Sequence, residues 1–569
     1  MSAPSAEAKS PLNGFTPRGR IWAHFEEPKH RVHDLTPLLG GQLLKEAGMT
    51  KGRDRDLGMD RSITRRDFVG GVGIALTAPL MAPRGGSASG YQAAIHDAAA
   101  PLQSSQEYYP PSLTGMRGSH AGSFEVAHAL RDGNPWENVG SEADTGEHYD
   151  LVVVGAGLSG LSGAYFFQTS AGRGASVLIL DNHDDFGGHA KRNEFTSGGR
   201  TLLLNGGTSN LESVNHYSTV SRTLLSAIGI DFDRAGAASA ASGRFYRSLG
   251  LENSTFFASE IFGEDRLVRG QPRRGGSGGA GSGYAEWLAG TPLSPEGRHD
   301  IARLYDSDTN PDYMPGVSDV EKKERLAWMS YKDFLLEVAR VDPGVVPFFD
   351  DRPKGLFSVG IDAYPALYAW AEGFPGFGGM DLEPLSPVGP LTHIGGGQHG
   401  REREFNGGPT INLPDGNATV ARLLVRAMIP DALPGTTLED SITARLAYDR
   451  LDRAESDVRI RLNSTAVSVR HVGGSESGRE VEITYVRGGR AERVRADHCI
   501  MACTNGVIPY LCPEMSPEQK EALAYGVKMP IVYTSVLIRK WTAFTNLGIR
   551  GANAPGMYHT GVSLGRAVE

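Results

Sequence analysis

The sequence predicts an α/β fold organised on a parallel sheet, with a second, α+β lobe set into it. Three observations carry that expectation. Tyr149-Asp150-Leu151-Val152-Val153-Val154 is a β-branched run of the kind found in strands buried on both faces. It leads into Gly155-Ala156-Gly157-Leu158-Ser159-Gly160 and a helix-like LSGAYFFQ, and the next apolar run, Ser176 to Leu180, closes on Asp181. From about Tyr217 to Ile411 the pattern becomes mixed and helical, before strand-like runs resume.

The composition sets limits on that picture. At 569 residues, with 40% hydrophobic and 22% charged residues, the chain is long enough for several domains and is neither wholly disordered nor collagen-like. A net charge of −9 gives no reason to expect nucleic acid as a partner. The 74 glycines are about twice the usual share, which implies many turns and close backbone approaches. Cys499, Cys503 and Cys512 are too few for a disulfide framework and lack zinc-site spacing, so they read as buried thiols, with one disulfide open to a chain outside the cytoplasm. No metal site is expected.

In chain order, residues 1–58 read as a disordered extension and residues 59–85 as an export signal. Thr64-Arg65-Arg66-Asp67-Phe68-Val69 pairs two arginines with a following Gly-rich apolar run, Gly70 to Ala82, which is the twin-arginine pattern. It predicts the twin-arginine translocase as a partner during export and a periplasmic or otherwise extracytoplasmic location. The leader is long, so the start is expected at Met49; no clean cleavage box precedes Ser87-Ala88-Ser89. No apolar run is long enough for an ordinary transmembrane helix. Residues 86–147 form an N-terminal segment of the mature chain.

Residues 148–216 hold the strongest signal. Gly155 permits a tight turn, Gly157 admits a pyrophosphate to the backbone, and Gly160 lets the helix pack on the strand, while the N–H groups of Leu158 and Ser159 face the phosphates. Asp181 can accept ribose hydroxyls, which repels a 2′-phosphate and disfavours NADP. Strand, glycine turn, helix, strand and terminal acid in that order predict a Rossmann-type dinucleotide site.

Asp181-Asn182-His183-Asp184-Asp185-Phe186 and then Gly187-Gly188 resemble the FAD-dependent amine oxidase superfamily, whose first unit ends in an acid, five residues and Gly-Gly-Arg. Here His189 stands for the Arg, with Lys191 and Arg192 nearby, and Gly206-Gly207-Thr208 lies where that superfamily brings backbone to the flavin. The chain is similar to a narrower group, the bacterial spermidine dehydrogenases and their exported FAD-dependent relatives. The matching stretches include YYPPSLTGMRGSHAGSFEVAHALRDG, DDFGGHAKRNEF, GGTSNLES, PDGNATVARLLVRAMIP, VRIRLNST and ACTNGVIPYLCPEM, within a span from Leu57 to about Trp541. The resemblance implies a two-lobed FAD-binding Rossmann-type fold (glutathione-reductase-like, amine oxidase) with an α+β substrate domain. It implies hydride transfer to flavin from the carbon beside an amine nitrogen, then imine hydrolysis to aldehyde and amine, with an amine such as spermidine as substrate and an unidentified electron acceptor. It admits haem beside FAD, with His120 and His128 as candidate ligands, although each reads first as structural. Asn412 stands where the group often has a His two residues before the Pro of PDGN.

The resemblance also places the remaining elements. Residues 217–410 would be the substrate domain, with Tyr364, Tyr368, Trp370, Phe374 and Phe377 mostly core and a minority facing the substrate. Arg269 to Gly283 and Gly395 to Gly408 read as flexible Gly-rich loops, and EKKERLAW as a solvated helical face. Residues 411–512 return to the FAD lobe: Val458 to Val469 reads as one strand, Glu480 to Val486 as its partner, and Ala466 and Val467 would touch the adenine side of FAD. His498 to Ala502 re-enters the parallel sheet. In residues 513–569 Lys528, on an expected strand, resembles the superfamily Lys that holds a water at the flavin; a snorkelling surface Lys is the other reading. The superfamily's last FAD segment has no counterpart after Leu547-Gly548, which reads as truncation. Three outcomes therefore stand: an exported FAD amine dehydrogenase, a FAD oxidoreductase on another substrate, or a non-catalytic remnant that holds no flavin.

Overall fold

The computed structural model describes residues 103–133, 142–172, 174–270, 281–306, 310–383, 408–474 and 478–565. The leader with its paired arginines, residues 271–280 of the first Gly-rich loop and residues 384–407, with most of the second, lie outside them. Fourteen strands are assigned among the described residues: β1 (Ala143–Val154), β2 (Val177–Leu180), β3 (Arg192–Ser197), β4 (Arg200–Asn205), β5 (Asn210–Leu211), β6 (Glu252–Phe257), β7 (Arg266–Arg269), β8 (Ile411–Asn412), β9 (Val458–Arg461), β10 (Ser464–His471), β11 (Val481–Arg487), β12 (Arg490–Met501), β13 (Ile549–Asn553) and β14 (Gly561–Ser563).

The chain is α/β around a Rossmann-type parallel sheet. Six strands run in the order β10-β11-β12-β1-β2-β9, with the β12-β1, β1-β2 and β2-β9 pairs parallel and the β10-β11-β12 ladder antiparallel. Val152 sits opposite Leu178 on one side and Cys499 on the other, so the valine run is enclosed by two neighbouring strands and buried on both faces. Leu151, Val153, Val177 and Ile179 share a core with helix α1 (Leu158–Ala171) and helix α2 (Ala418–Met428). Tyr149, Val152, Val154, Leu178 and Leu180 cluster instead with Ile483, Tyr485 and Val494. The polar stretch before Tyr149 is itself strand, because β12 extends far enough to pair with Ala143 and Asp144.

The expected single strand over Val458 to Val469 is two. β9 ends at Arg461, Asn463 adopts φ of +53°, and β10 then joins the antiparallel ladder, so one apolar run serves two different pairings. The β10-β11 register shifts between Ala466 and Ser468, which leaves Val467 at a bulge.

A second core lies between β6 and about residue 382. Tyr331, Phe334, Phe349, Tyr364, Trp370, Phe374 and Phe377 are buried in it, whereas Tyr368 is half-buried. The Arg352 guanidinium stands 4.4 Å from the Phe349 ring centroid and 5.4 Å from that of Phe348, so these rings face one of the chain's own cations. β13 pairs parallel with β6, carrying residues 549–553 back to this region in the sheet β14-β13-β6-β7. The EKKERLAW face is solvated except at Lys322, which is buried and paired with Asp312 at 2.7 Å, and at Leu326. The first Gly-rich loop is shorter than expected, since a helix begins at Gly281.

All three cysteines are free. They are half-buried rather than buried, and their partial burial pushes the Cys499 thiol up to about 12 and that of Cys503 up to about 11. No described helix is long and apolar enough to cross a membrane.

Candidate dinucleotide site

The site is made of backbone before side chains. Gly155 has φ of +111°, and a Cβ there would meet the Ala502 carbonyl oxygen at 2.6 Å. A Cβ on Gly160 would lie 1.9 Å from the Gly155 carbonyl oxygen, so α1 can start this close to β1 only with glycine. Gly157 precedes α1 and no side chain caps the helix; Leu158 is half-buried and Ser159 exposed. The first N–H groups of a 14-residue helix thus carry the partial positive charge that an anion would meet.

Gly187 and Gly188 close the turn from the other side. Gly157 and Gly187 form a parallel bridge, the Gly187 N–H donates to the Ala156 carbonyl at 2.8 Å, and a Cβ on Gly188 would come within 3.0 Å of the Gly157 Cα. The two glycine motifs, 30 residues apart in the sequence, therefore require each other.

Asp181 is buried, and its two carboxylate oxygens accept the N–H groups of Ala156 at 2.7 Å and His183 at 2.8 Å. Burial pushes this carboxyl above its usual range, against the pull of Lys191 and those two N–H groups. Asp181 thus pins the glycine turn, with lone pairs left over for hydroxyl donors. Its backbone carbonyl accepts the Ser464 N–H at 2.7 Å, and the His183 carbonyl accepts that of Asn463 at 2.9 Å. These two bonds bring the loop against the start of β10, where Ala466 and Val467 are buried.

Lys191 and Arg192, expected as spare charge for a pyrophosphate, are engaged inside the chain. The Lys191 ammonium is buried and donates to the Asp185 carbonyl at 3.0 Å, while Arg192 pairs with Asp415 and Glu194, each at 2.7 Å. His189 is exposed, and its carbonyl accepts the Thr208 N–H at 3.3 Å. Gly206 and Gly207 press on this same stretch: a Cβ on Gly207 would lie 2.2 Å from the His189 carbonyl oxygen.

Beside Thr208 the turn Leu413 to Asn417 packs in, the Asn417 N–H donating to the Thr208 carbonyl at 3.2 Å. Around this joint the Oδ1 atoms of Asn205, Asn412 and Asn417 and the Thr208 Oγ1 are buried without a hydrogen-bond partner. Three orphaned amide oxygens and a hydroxyl at one joint fit a ligand that brings donors. Sequence reasoning named Thr208 and noted Asn412, but missed Asn205 and Asn417; the short motif LPDGN was the available signal.

One expected residue, Lys528, is not brought to the corner. Lys528 lies in the irregular segment 526–541, exposed and on no strand, because that stretch has no strand neighbour to pair with; the apolar burial needed to hold a water is absent around it. His120 has both ring nitrogens engaged inside the chain: its Nε2 faces the Asp184 carboxylate at 3.0 Å and its Nδ1 the Ala121 carbonyl at 2.9 Å. His128 is exposed beside Phe124. Asn182, Asp184 and the segment before β1 meet through bonds that the sequence did not announce: the Asn182 amide donates to the Ser123 carbonyl, and Arg117 pairs with Asp184.

Residues 153–226 match the family described as NAD(P)-binding Rossmann-like domain. No curated protein matches the chain. A solved structure described as an oxidoreductase from Methanosarcina mazei aligns at 14% identity and a TM-score of 0.30. That alignment covers 66% of this chain and 63% of the length of the Methanosarcina protein. The glycine turn, α1, β2 and Asp181 thus fall within a stretch of NAD(P)-binding Rossmann-like domain.

Proposed function

We propose that the chain is an exported FAD-dependent oxidoreductase acting on the carbon beside an amine nitrogen, with a polyamine such as spermidine as substrate. The observation that carries the reading is the uncapped start of α1, enclosed by two mutually dependent glycine motifs and pinned by Asp181. The amine class rests on the sequence resemblance between Leu57 and Trp541, and FAD on the spacing from Asp181 to Gly187-Gly188.

When bound, FAD would supply the acceptor for a hydride from the amine carbon. The residues of the chain have their own tasks. The N–H groups of Leu158, Ser159 and Gly160 would face the diphosphate, and Asp181 would accept ribose hydroxyls with its remaining lone pairs. The bulge at Val467 and the neighbouring Ala466 would border the adenine. The joint of Gly206, Gly207 and Thr208 with Asn205, Asn412 and Asn417 would meet the donors of the ribityl chain and ring. Because Lys528 is exposed, it has no part in this scheme. Imine hydrolysis needs only solvent water once product leaves.

The test begins with colour. Protein prepared with FAD should show the visible absorbance of bound flavin and turn over spermidine or spermine with an artificial acceptor. A colourless, well-folded protein that binds NAD instead would remove the flavin reading. Bound flavin without turnover of any polyamine or monoamine would move the activity to another substrate on the same scaffold. Export is tested separately: a reporter fused behind Thr64 to Val69 should leave the cytoplasm, and the double change Arg65→Lys, Arg66→Lys should retain it.

A further inference from the structure

The segment ahead of β1 is built into the nucleotide corner. Gln103 is buried, its amide donating to the Ile460 carbonyl at 2.7 Å and accepting the Leu462 N–H at 3.0 Å. The Tyr108 hydroxyl donates to the Asp184 carbonyl at 2.6 Å and accepts the Asn463 amide at 2.9 Å. Arg117 holds one oxygen of the Asp184 carboxylate, and His120 Nε2 faces the other at 3.0 Å. The Ser123 carbonyl takes the Asn182 amide. These partners lie on the loop that follows Asp181, at the end of β9, or on the β9-β10 link to which that loop is bonded.

Burial favours a protonated Asp184, but the His120 ring and the Arg117 guanidinium beside it outweigh this and hold the carboxyl well below its usual range. The side chains are only 11–17% exposed, so solvent screens these contacts little. The loop carrying Asp181 and Asn182 is therefore positioned from outside the βαβ unit, by residues that the glycine fingerprint does not include.

We propose that residues 103–123 form a clasp on the nucleotide loop, in which Arg117 and His120 are positioning residues acting through Asp184. Retention of an adenine dinucleotide and docking of the clasp are then coupled, and by linkage each strengthens the other. This rests on the dinucleotide reading above.

The test uses the full chain and two readouts, the dissociation rate of FAD and trypsin cleavage after Arg117 and Arg131 with and without FAD. Wild type should be protected at Arg117 by FAD. Arg117→Ala and Asp184→Asn should release FAD at least about tenfold faster. Arg117→Lys, which keeps the charge and loses the fork, should fall between and serves if Arg117→Ala does not fold. A purely structural role would lower the unfolding midpoint and leave FAD release unchanged; that result overturns the clasp, as does bound FAD that gives no protection at Arg117. If wild type binds none of FAD, NAD or ADP, the dinucleotide reading fails and the clasp with it.

Discussion

Leu151-Val152-Val153-Val154 and Ile531-Val532-Tyr533-Thr534-Ser535-Val536 are runs of similar chemistry with opposite fates. The first is enclosed between β12 and β2 and fully buried; the second is extended, on no strand, with Ile531 and Val536 each 66% exposed. The difference lies in neighbours. A β-branched run becomes a strand when two other segments offer it their backbone, and segment 526–541 meets the hairpin β3-β4 through long hydrogen bonds at Ser535, 3.4 Å to Asn193 and to the Asn205 carbonyl.

The comparison can be broken most sharply at a glycine. Gly160→Val should abolish soluble, nucleotide-binding protein, because the new side chain starts inside the Gly155 carbonyl, whereas Gly526→Val meets open space and should leave yield and unfolding midpoint unchanged. Next come the valines. Val153→Ala should cost about 2 kcal/mol in urea unfolding, and Val536→Ala less than about 0.5 kcal/mol. Equal losses at both sites would show that segment 526–541 is covered in solution.

The pH dependence sharpens the same contrast. Burial, with the charges of Lys191 and His120 adding to it, depresses His183 from 6.5 to about 3. The folded chain thus keeps this imidazole neutral while the unfolded chain takes a proton. Its contribution is complete above about pH 6.5 and is lost as pH falls toward about 3, by at most about 1.4 kcal/mol per pH unit. Unfolding free energies measured across that window should flatten in His183→Gln; an unchanged slope would remove His183 as its source. The smallest effect is expected at Lys528→Met, which should alter neither FAD content nor turnover, since the ammonium is exposed.

The βαβ unit was legible because its geometry is local. Gly155 needs a positive φ, Gly160 a missing Cβ, and both follow from a chain reversing between β1 and α1. The break at Asn463 was not legible, since Val458 to Val469 is continuous in pattern and is divided only by partners elsewhere, β2 for one half and β11 for the other. The same holds for Arg192, which reads as free charge beside a phosphate site until Asp415, more than 200 residues on, arrives to neutralise it. The aromatic residues of the middle region read mostly as core, and four of the five are; the cation that one of them meets, Arg352, could not be foreseen from their spacing.

β1 pairs with β2 within 30 residues of sequence, yet its other neighbour, β12, follows it by more than 300. A ribosome must therefore pass β12 before the nucleotide corner has its second wall, and must pass Ser464 before the Asp181 loop can be fastened to it. Closing this site is a slow step, set by loop closure over hundreds of residues. The corner is closed on both sides only once β12 has been made and paired with β1.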